Sequence, residues 1–332
     1  MEVQLEKVGY ILIDKIRREK MRLFMSNKLM LLLVVSYFVH SNVFSQQDPH
    51  YTQYMLNTMS VNPAYVGSKG HTVLTALGRT QWVGFDGAPD TQTLSYDSSL
   101  GFNGLGLGFN LVNDKLGPSH ELYIDGNVSY TIETGEEGNL AFGLKLGGRI
   151  LNVDWSIGNP NADGNDPSFA QNIVNRFLPT VGAGIYYHEP EWYIGLSVPN
   201  FLRQEHYDAQ RATGEVAVER LHYFLIAGYV FDLSDDIKFK PAALAKVVFG
   251  APMSLDVSAN FMFNDRFRVG AAWRWDDSIA ALLGIQVSES LHIGYAYDLT
   301  TSNYNVVNSG THEVLLRYEI FKQARIKSPR FF

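Results

Sequence analysis

Apolar and polar residues alternate along most of this chain with a period of two. In "LHIGYAYDL" (291–299), Leu291, Ile293, Tyr295, Tyr297 and Leu299 fall on one face, with His292, Gly294, Ala296 and Asp298 on the other. The same split recurs in "ELYIDGNVSYTIE" (121–133), "SLDVSANFMF" (254–263), "RFRVGAAWRWD" (266–276) and "HEVLLRYEI" (312–320). Period two means strands. About fourteen such segments follow one another, near 71–78, 91–98, 104–113, 121–133, 139–153, 177–188, 191–199, 220–232, 237–249, 254–263, 266–275, 279–288, 291–300 and 312–321. Most run to about ten residues, the length a tilted strand needs to cross hydrocarbon, whereas soluble strands average nearer five or six.

The connections sort by length. One set is long: 79–90, 114–120, 154–176, 200–219 and 301–310. The other set, "TGEEGN", "HEPE", "LSDD", "NDR" and "SES", is brief, although two members of the first set, near Gly250 and Asp277, are brief too. Alternating long outer loops and short periplasmic turns is the habit of outer-membrane barrels. The expected fold is therefore all-β, an antiparallel transmembrane barrel of about 14 strands over residues 71–321, with the apolar face toward lipid. Tyr186, Tyr187, Trp192, Tyr193, Trp273, Trp275 and Tyr318 would form interfacial girdles. The competing account is a soluble β-protein with those aromatics in its core.

Composition agrees with a β-protein: 29 Gly, 38 Tyr plus Phe, and only 18% charged residues. With no Cys, disulfides and thiolate metal sites are excluded. At the amino terminus, the apolar run "KLMLLLVVSYFV" (28–39) follows a basic stretch and precedes small residues, which predicts a signal peptide over 1–45 cleaved between Ser45 and Gln46. The basic lead is long, so initiation at Met21 or Met25 fits better, and an uncleaved anchor is the alternative. Cleavage removes seven basic and four acidic residues, leaving 20 basic against 30 acidic, a surface ill suited to nucleic acid. No later stretch holds eighteen consecutive apolar residues, so strands must make any crossing.

Signs of catalysis are weak. "GLGLG" (104–108) and "GAG" (182–184) lie inside strands without a following helix, and "GLSVP" (195–199) lacks the second Gly of a nucleophile elbow. The loop 159–167 gathers Asn161, Asp163, Asn165 and Asp166 but has no closing Glu of an EF-hand, so a cluster of Asx turns is expected rather than calcium. None of the nine His stands at metal-ligand spacing. No enzyme, cofactor or metal is expected. The polar phase places Arg266, Arg268, Arg274, His292, Asp298, Glu313, Arg317 and Glu319 in the lumen, where charges of both signs would pair across the barrel.

The segment "QDPHYTQYMLNTMSVNPAYVGS" (47–68) resembles the start of mature PorP/SprF-type proteins of the type IX secretion system. Further matches are "RTQWVGFDGAPDTQTLSYD", "LGLGFNLVNDKLGP", "LPTVGAGIYYHEPEWYIGLSVPN", "IGYAYDL", "HEVLLRY" and the terminal "SPRFF". The resemblance implies a non-enzymatic outer-membrane component of type IX secretion and, in some relatives, gliding motility. Its implied partners are membrane lipid, a secreted protein with a carboxy-terminal sorting domain, such as an adhesin, and periplasmic ring or peptidoglycan-linked components. Residues 46–70 would then plug the lumen or dock a periplasmic partner, unless they form a disordered leader, and residues 322–332 would be a periplasmic tail. Expected partner-binding positions are Asp48, Pro49, His50, Tyr51, Gln53, Tyr54, Asn62, Pro63 and Tyr65, together with Trp82 and Pro89 in the first outer loop. A second reading is a transporter resembling the FadL type, which would need an apolar lumen pocket.

Overall fold

The computed structural model describes residues 49–101, 104–157, 172–202, 220–249, 251–306 and 308–321, and Arg330. Apart from Ala251 and Pro252, these belong to one compact unit, described here by itself. The predicted signal peptide, the loop 159–167 and most of the carboxy-terminal tail lie outside them.

Fifteen strands form one antiparallel sheet: β1 (Thr72–Thr80), β2 (Asp90–Ser99), β3 (Leu105–Leu116), β4 (Ser119–Thr134), β5 (Gly138–Val153), β6 (Ile173–His188), β7 (Trp192–Val198), β8 (His222–Tyr229), β9 (Phe231–Ser234), β10 (Ile237–Val248), β11 (Ser254–Phe263), β12 (Phe267–Arg274), β13 (Ser278–Gln286), β14 (Leu291–Thr300) and β15 (Thr311–Ile320). Neighbours in sequence pair antiparallel except β8 and β9, which run the same way and both pair with β10; β15 returns to β1, and β10 joins β8 to β11, so the sheet closes. Fourteen strands make the wall, and β9 is the extra one. Closure pairs both edges of every wall strand, which a sheet in hydrocarbon requires.

The 220–232 segment splits in two. At Val230 the backbone leaves the β8 ladder to donate to Glu191 O at 2.8 Å, the Val230 side chain is buried, and β9 then pairs with the start of β10 alone.

Alternation now has a physical meaning. Leu94, Leu107, Leu144, Leu196, Leu225, Leu283, Leu299 and Leu316 all stand exposed on the outer surface, while Ser95, Asn127, Ser129, Thr180 and Asp298 are buried. A soluble sandwich would bury the first set and expose the second. The inverted pattern is that of a barrel whose outer surface meets acyl chains. Among the described residues no helix is long and apolar enough to cross a membrane. β4, β5 and β6 each have 16 residues, roughly 50 Å of strand at 3.3 Å per residue, and outrun an apolar band about 25 Å tall. They extend the wall at the end that carries the long loops.

Candidate functional site

Within this wall lies the segment that precedes β1. It has no alternation because it has no solvent-facing side: Tyr51, Gln53, Tyr54, Met55, Asn57, Met59, Asn62, Ala64 and Val66 are all buried. Unable to join the ladder, its backbone satisfies itself through successive tight turns, Leu56 N to Gln53 O at 2.9 Å, Ser60 N to Asn57 O at 3.1 Å and Val61 N to Thr58 O at 3.1 Å. "NPAY" makes one 3-10 turn, Pro63–Tyr65, capped by Asn62, whose Oδ1 accepts from Ala64 N at 2.9 Å and whose Nδ2 donates to Ile185 O at 3.1 Å.

The segment crosses the lumen from the long-loop end to the short-turn end. At the first end Glu313 accepts from Thr52 N and Gln53 N, both at 2.9 Å, and Thr52 Oγ1 donates to Asp298 at 2.6 Å. Arg79 ties these together, donating to Glu313 at 2.9 Å and Asp298 at 2.7 Å. One guanidinium, two carboxylates and two backbone N–H groups make a buried network in which each partner meets a charge-assisted bond. Along the way Tyr51 Oη meets Thr93 Oγ1 at 3.0 Å and Tyr54 Oη meets Ser258 Oγ at 3.2 Å. Wall hydroxyls of Ser197 and Ser129 donate to Val61 O at 2.6 Å and Val66 O at 2.5 Å. At the short-turn end Lys69 pairs with Glu319 at 2.9 Å, and Gly67 N donates to Asp97 at 2.6 Å.

Two wall glycines explain the close fit. A Cβ at Gly143 would lie 2.2 Å from Ala64 N, and one at Gly106 would lie 2.4 Å from Val66 O. Backbone meets backbone there, so no side chain is tolerated.

Burial also sets charge states in the segment. The His50 imidazole is held well below its ordinary range, by desolvation first and then by Lys246 and other nearby cations. Lys246 donates from Nζ to His50 Nε2, which requires that nitrogen to be bare. Burial and Arg317 lower the Lys69 amine to about 8 against the pull of Glu319.

Beside the segment, toward the long loops, a cavity of about 70 Å³ is lined by Pro49, Tyr51, Asn110, Tyr123, Arg149 and Phe224, among others. Its wall charges are paired: Asp125 with Lys145 at 2.8 Å, and Glu121 with Arg149 at 3.1 Å.

The expected positions fall as follows. Arg268, Arg274, His292, Asp298, Glu313, Arg317 and Glu319 are buried on the inner face, and Arg274 pairs with Asp256 at 2.5 Å. Arg266 instead stands exposed in the β11–β12 turn, its guanidinium over the Phe267 ring, because the strand begins one residue after it. Tyr51, Gln53, Tyr54, Asn62, Pro63 and Tyr65 are buried inside the barrel, not presented on a rim, and Thr52 to Tyr54 lie toward the long-loop end rather than the periplasmic edge. Pro49 and His50 are half-buried beside them, and Asp48 lies outside the described residues. Trp82 and Pro89 do belong to the first long loop. Trp82 takes a left-handed backbone (φ 44°) and packs edge-on to Phe85, while Pro89 O accepts from Gln81 N at 2.9 Å. That loop is pinned to the 301–310 loop by Val83 N to Gly310 O and Ser309 N to Val83 O, and it exposes Val83 and Phe85. Of the tail, Arg330 donates to Ser68 O and Glu189 O, both at 2.9 Å.

Sequence reasoning missed Arg79, Asp97, Asp125, Lys145, Lys240 and Asp256 as inward charges, although each occupies the polar phase of its strand. Arg79 was assigned to a loop; it is the penultimate residue of β1. Among the described residues no group of three His, Asp or Glu is placed to hold a metal ion.

Residues 43–318 match the family of the type IX secretion system membrane protein PorP/SprF. The chain belongs to this family. A PorP/SprF barrel is an outer-membrane component of type IX secretion, as the resemblance of the opening segment implied. No curated protein sequence matches the chain. Solved barrels are similar in fold: the Acinetobacter baumannii outer membrane protein Omp33 (9% identity, TM-score 0.43, covering 75% of this chain and 98% of that one) and the Ralstonia pickettii toluene transporter TbuX (12%, 0.44, 80% and 93%). The monoaromatic hydrocarbon channel CymD is comparable (11%, 0.43, 80% and 91%). Their identities are too low to carry a solute or a partner over to this chain.

Proposed function

We propose that this PorP/SprF barrel is a non-enzymatic binding and anchoring component whose lumen is plugged by its own residues 46–70. It would hold a secreted surface protein, such as an adhesin with a carboxy-terminal sorting domain, at its long-loop end and periplasmic ring or peptidoglycan-linked components at its short-turn end. The observation that carries the reading is the ion network of Arg79, Asp298 and Glu313 closed on Thr52 and Gln53, because a lumen so occupied favours protein binding over solute passage. The exposed Val83 and Phe85 beside Trp82 supply the kind of aromatic anchor that protein interfaces use. We place the signal-peptide cut after Ser45 and extend the role to gliding motility where the held protein is a motility adhesin.

The test is to delete the gene and compare surface proteomes, then restore wild type or a Trp82→Ala, Phe85→Ala pair. Deletion should strip one large surface protein, and the loop variant should restore the barrel without it. An unchanged proteome with altered uptake of a hydrophobic solute would replace this reading with a FadL-like transporter. Amino-terminal sequencing of the outer-membrane form checks the cut, expected to begin at Gln46.

A further inference from the structure

Arg330 of the carboxy-terminal tail sits inside the short-turn mouth of the barrel. Its guanidinium is buried and reaches two places at once. Nη2 donates to Ser68 O, where the segment leaves the lumen, and Nη1 donates to Glu189 O in the β6–β7 turn, both at 2.9 Å. Its own carbonyl accepts from Lys240 Nζ at 2.5 Å. Lys240 is the fourth residue of β10, on the inward phase, and it is fully buried. A buried ammonium on a wall strand needs an acceptor brought to it, and the main chain of residue 330 supplies one. Three contacts thus join tail, segment and wall in one place. Rings line the seat: Tyr65 of the segment meets Tyr186 edge-on at 5.5 Å, Tyr186 meets Tyr193 at 5.8 Å, and Lys240 Nζ lies 5.6 Å from the Tyr193 ring centre. Aromatic faces accommodate a cation without fixing its direction.

The two ends of the segment are held differently. At the long-loop end Arg79 faces two carboxylates, Asp298 and Glu313, and Glu313 also takes two backbone N–H groups. At the short-turn end Arg330 meets two main-chain carbonyls, which are neutral. Hydrogen bonds with charge on both sides are the stronger kind, and a guanidinium withdrawn from carbonyls leaves no buried anion behind. Once Arg330 withdraws, water entering the mouth can replace it on the carbonyls and on Lys240. Arg79 is therefore a permanent clamp, whereas Arg330 can leave its seat at lower cost. Lys69, one residue after Ser68, pairs with Glu319 and anchors the approach to β1.

We propose that Arg330 is a releasable latch on the short-turn mouth. Seated between Ser68 and Glu189, it holds the exit of the segment against the wall. Withdrawn, it frees that end while Glu313 keeps its grip on the other. The latch rests on the reading of residues 46–70 as a lumen plug.

Limited chymotryptic digestion of the full-length barrel in detergent tests it, with cleavage after Tyr65 and after Tyr51 followed by mass spectrometry. Arg330→Ala should speed cleavage after Tyr65 several-fold and leave Tyr51, at the Glu313 end, as slow as in the wild type. Lys240→Met removes the grip on the Arg330 carbonyl at similar length and should give the same split. Variants are compared as folded barrels, identified by the gel shift of the unheated sample; should one fail to fold, the other carries the test. An unchanged Tyr65 rate in a folded variant overturns the latch. So does equal acceleration at the two sites, which means general loosening. The plug reading stands or falls separately, on the conductance of a barrel lacking residues 49–66; cleavage after Tyr65 reports on the latch whether or not that barrel conducts.

Discussion

Glu313 shows how much one side chain can hold. It is fully buried, and its two oxygens accept from two consecutive backbone N–H groups of the segment and from Arg79. Glu313→Gln replaces one acceptor with a donor facing an N–H and leaves Arg79 with Asp298 alone. Breaking a buried pair from one side costs about 3–5 kcal/mol, so the variant should lose that much in denaturant titrations followed by the gel shift between folded and unfolded barrel. His50 gives the complementary case, a group kept neutral. Its folded pKa lies below the ordinary 6.5, so the unfolded chain takes up the proton first as pH falls. The stability it contributes is present above about pH 6.5 and is lost below it. Facing it are Lys246, Arg274, Arg79 and His222. Resistance of the segment to protease should therefore drop between pH 7 and pH 5, and His50→Gln, which still offers Lys246 an acceptor, should flatten the drop. An equally steep profile in that variant would assign the effect to another group.

At the scale of the element, the wall and the segment obey different rules. Each wall strand separates two unlike surroundings, so its sequence records the boundary residue by residue, and alternation alone located every wall strand to within a few positions. Strand ends were less legible because the periodicity does not mark where a turn begins: Arg266 and Arg268 share a phase, yet the first belongs to the turn and the second to the lumen. The break at Val230 was invisible for the same reason. For the segment, the sequence left a lumen plug and a periplasmic docking piece both open, because its composition does not choose between them. Gln53 and Asn62 look like surface residues, and only partners far along the chain, Glu313 and Ile185, show why they are buried. Its seat is nevertheless specific enough to attack. Gly143→Val would drive a branched side chain into the Ala64 backbone and expel the 3-10 turn at Pro63–Tyr65. Planar-bilayer recordings should show conductance in Gly143→Val, and in a barrel lacking residues 49–66, that the wild type lacks. Equal conductance in all three would mean that the segment does not close the path.

The whole molecule is an inside-out protein, and its outer surface answers to lipid. Leu146 is 63% exposed in the middle of β5, flanked by Gly126 and Val181 on the neighbouring strands. Leu146→Arg should cost about 2–4 kcal/mol of folding free energy measured into lipid vesicles, the range for a charge near the bilayer midplane, and much less at the strand ends. An unaffected variant would place this face away from hydrocarbon. The route of the segment bears on assembly as well. Residues that leave the ribosome early, Thr52 and Gln53, are gripped by Glu313 and Asp298, which leave it last. Until β14 and β15 arrive and zip onto β1, Thr52 and Gln53 lack the carboxylates that grip them, so sealing the seam also completes the fastening of the amino terminus. A half-built cylinder awaiting its final hairpin would leave Thr52 and Gln53 without those partners, within reach of chaperones and proteases alike.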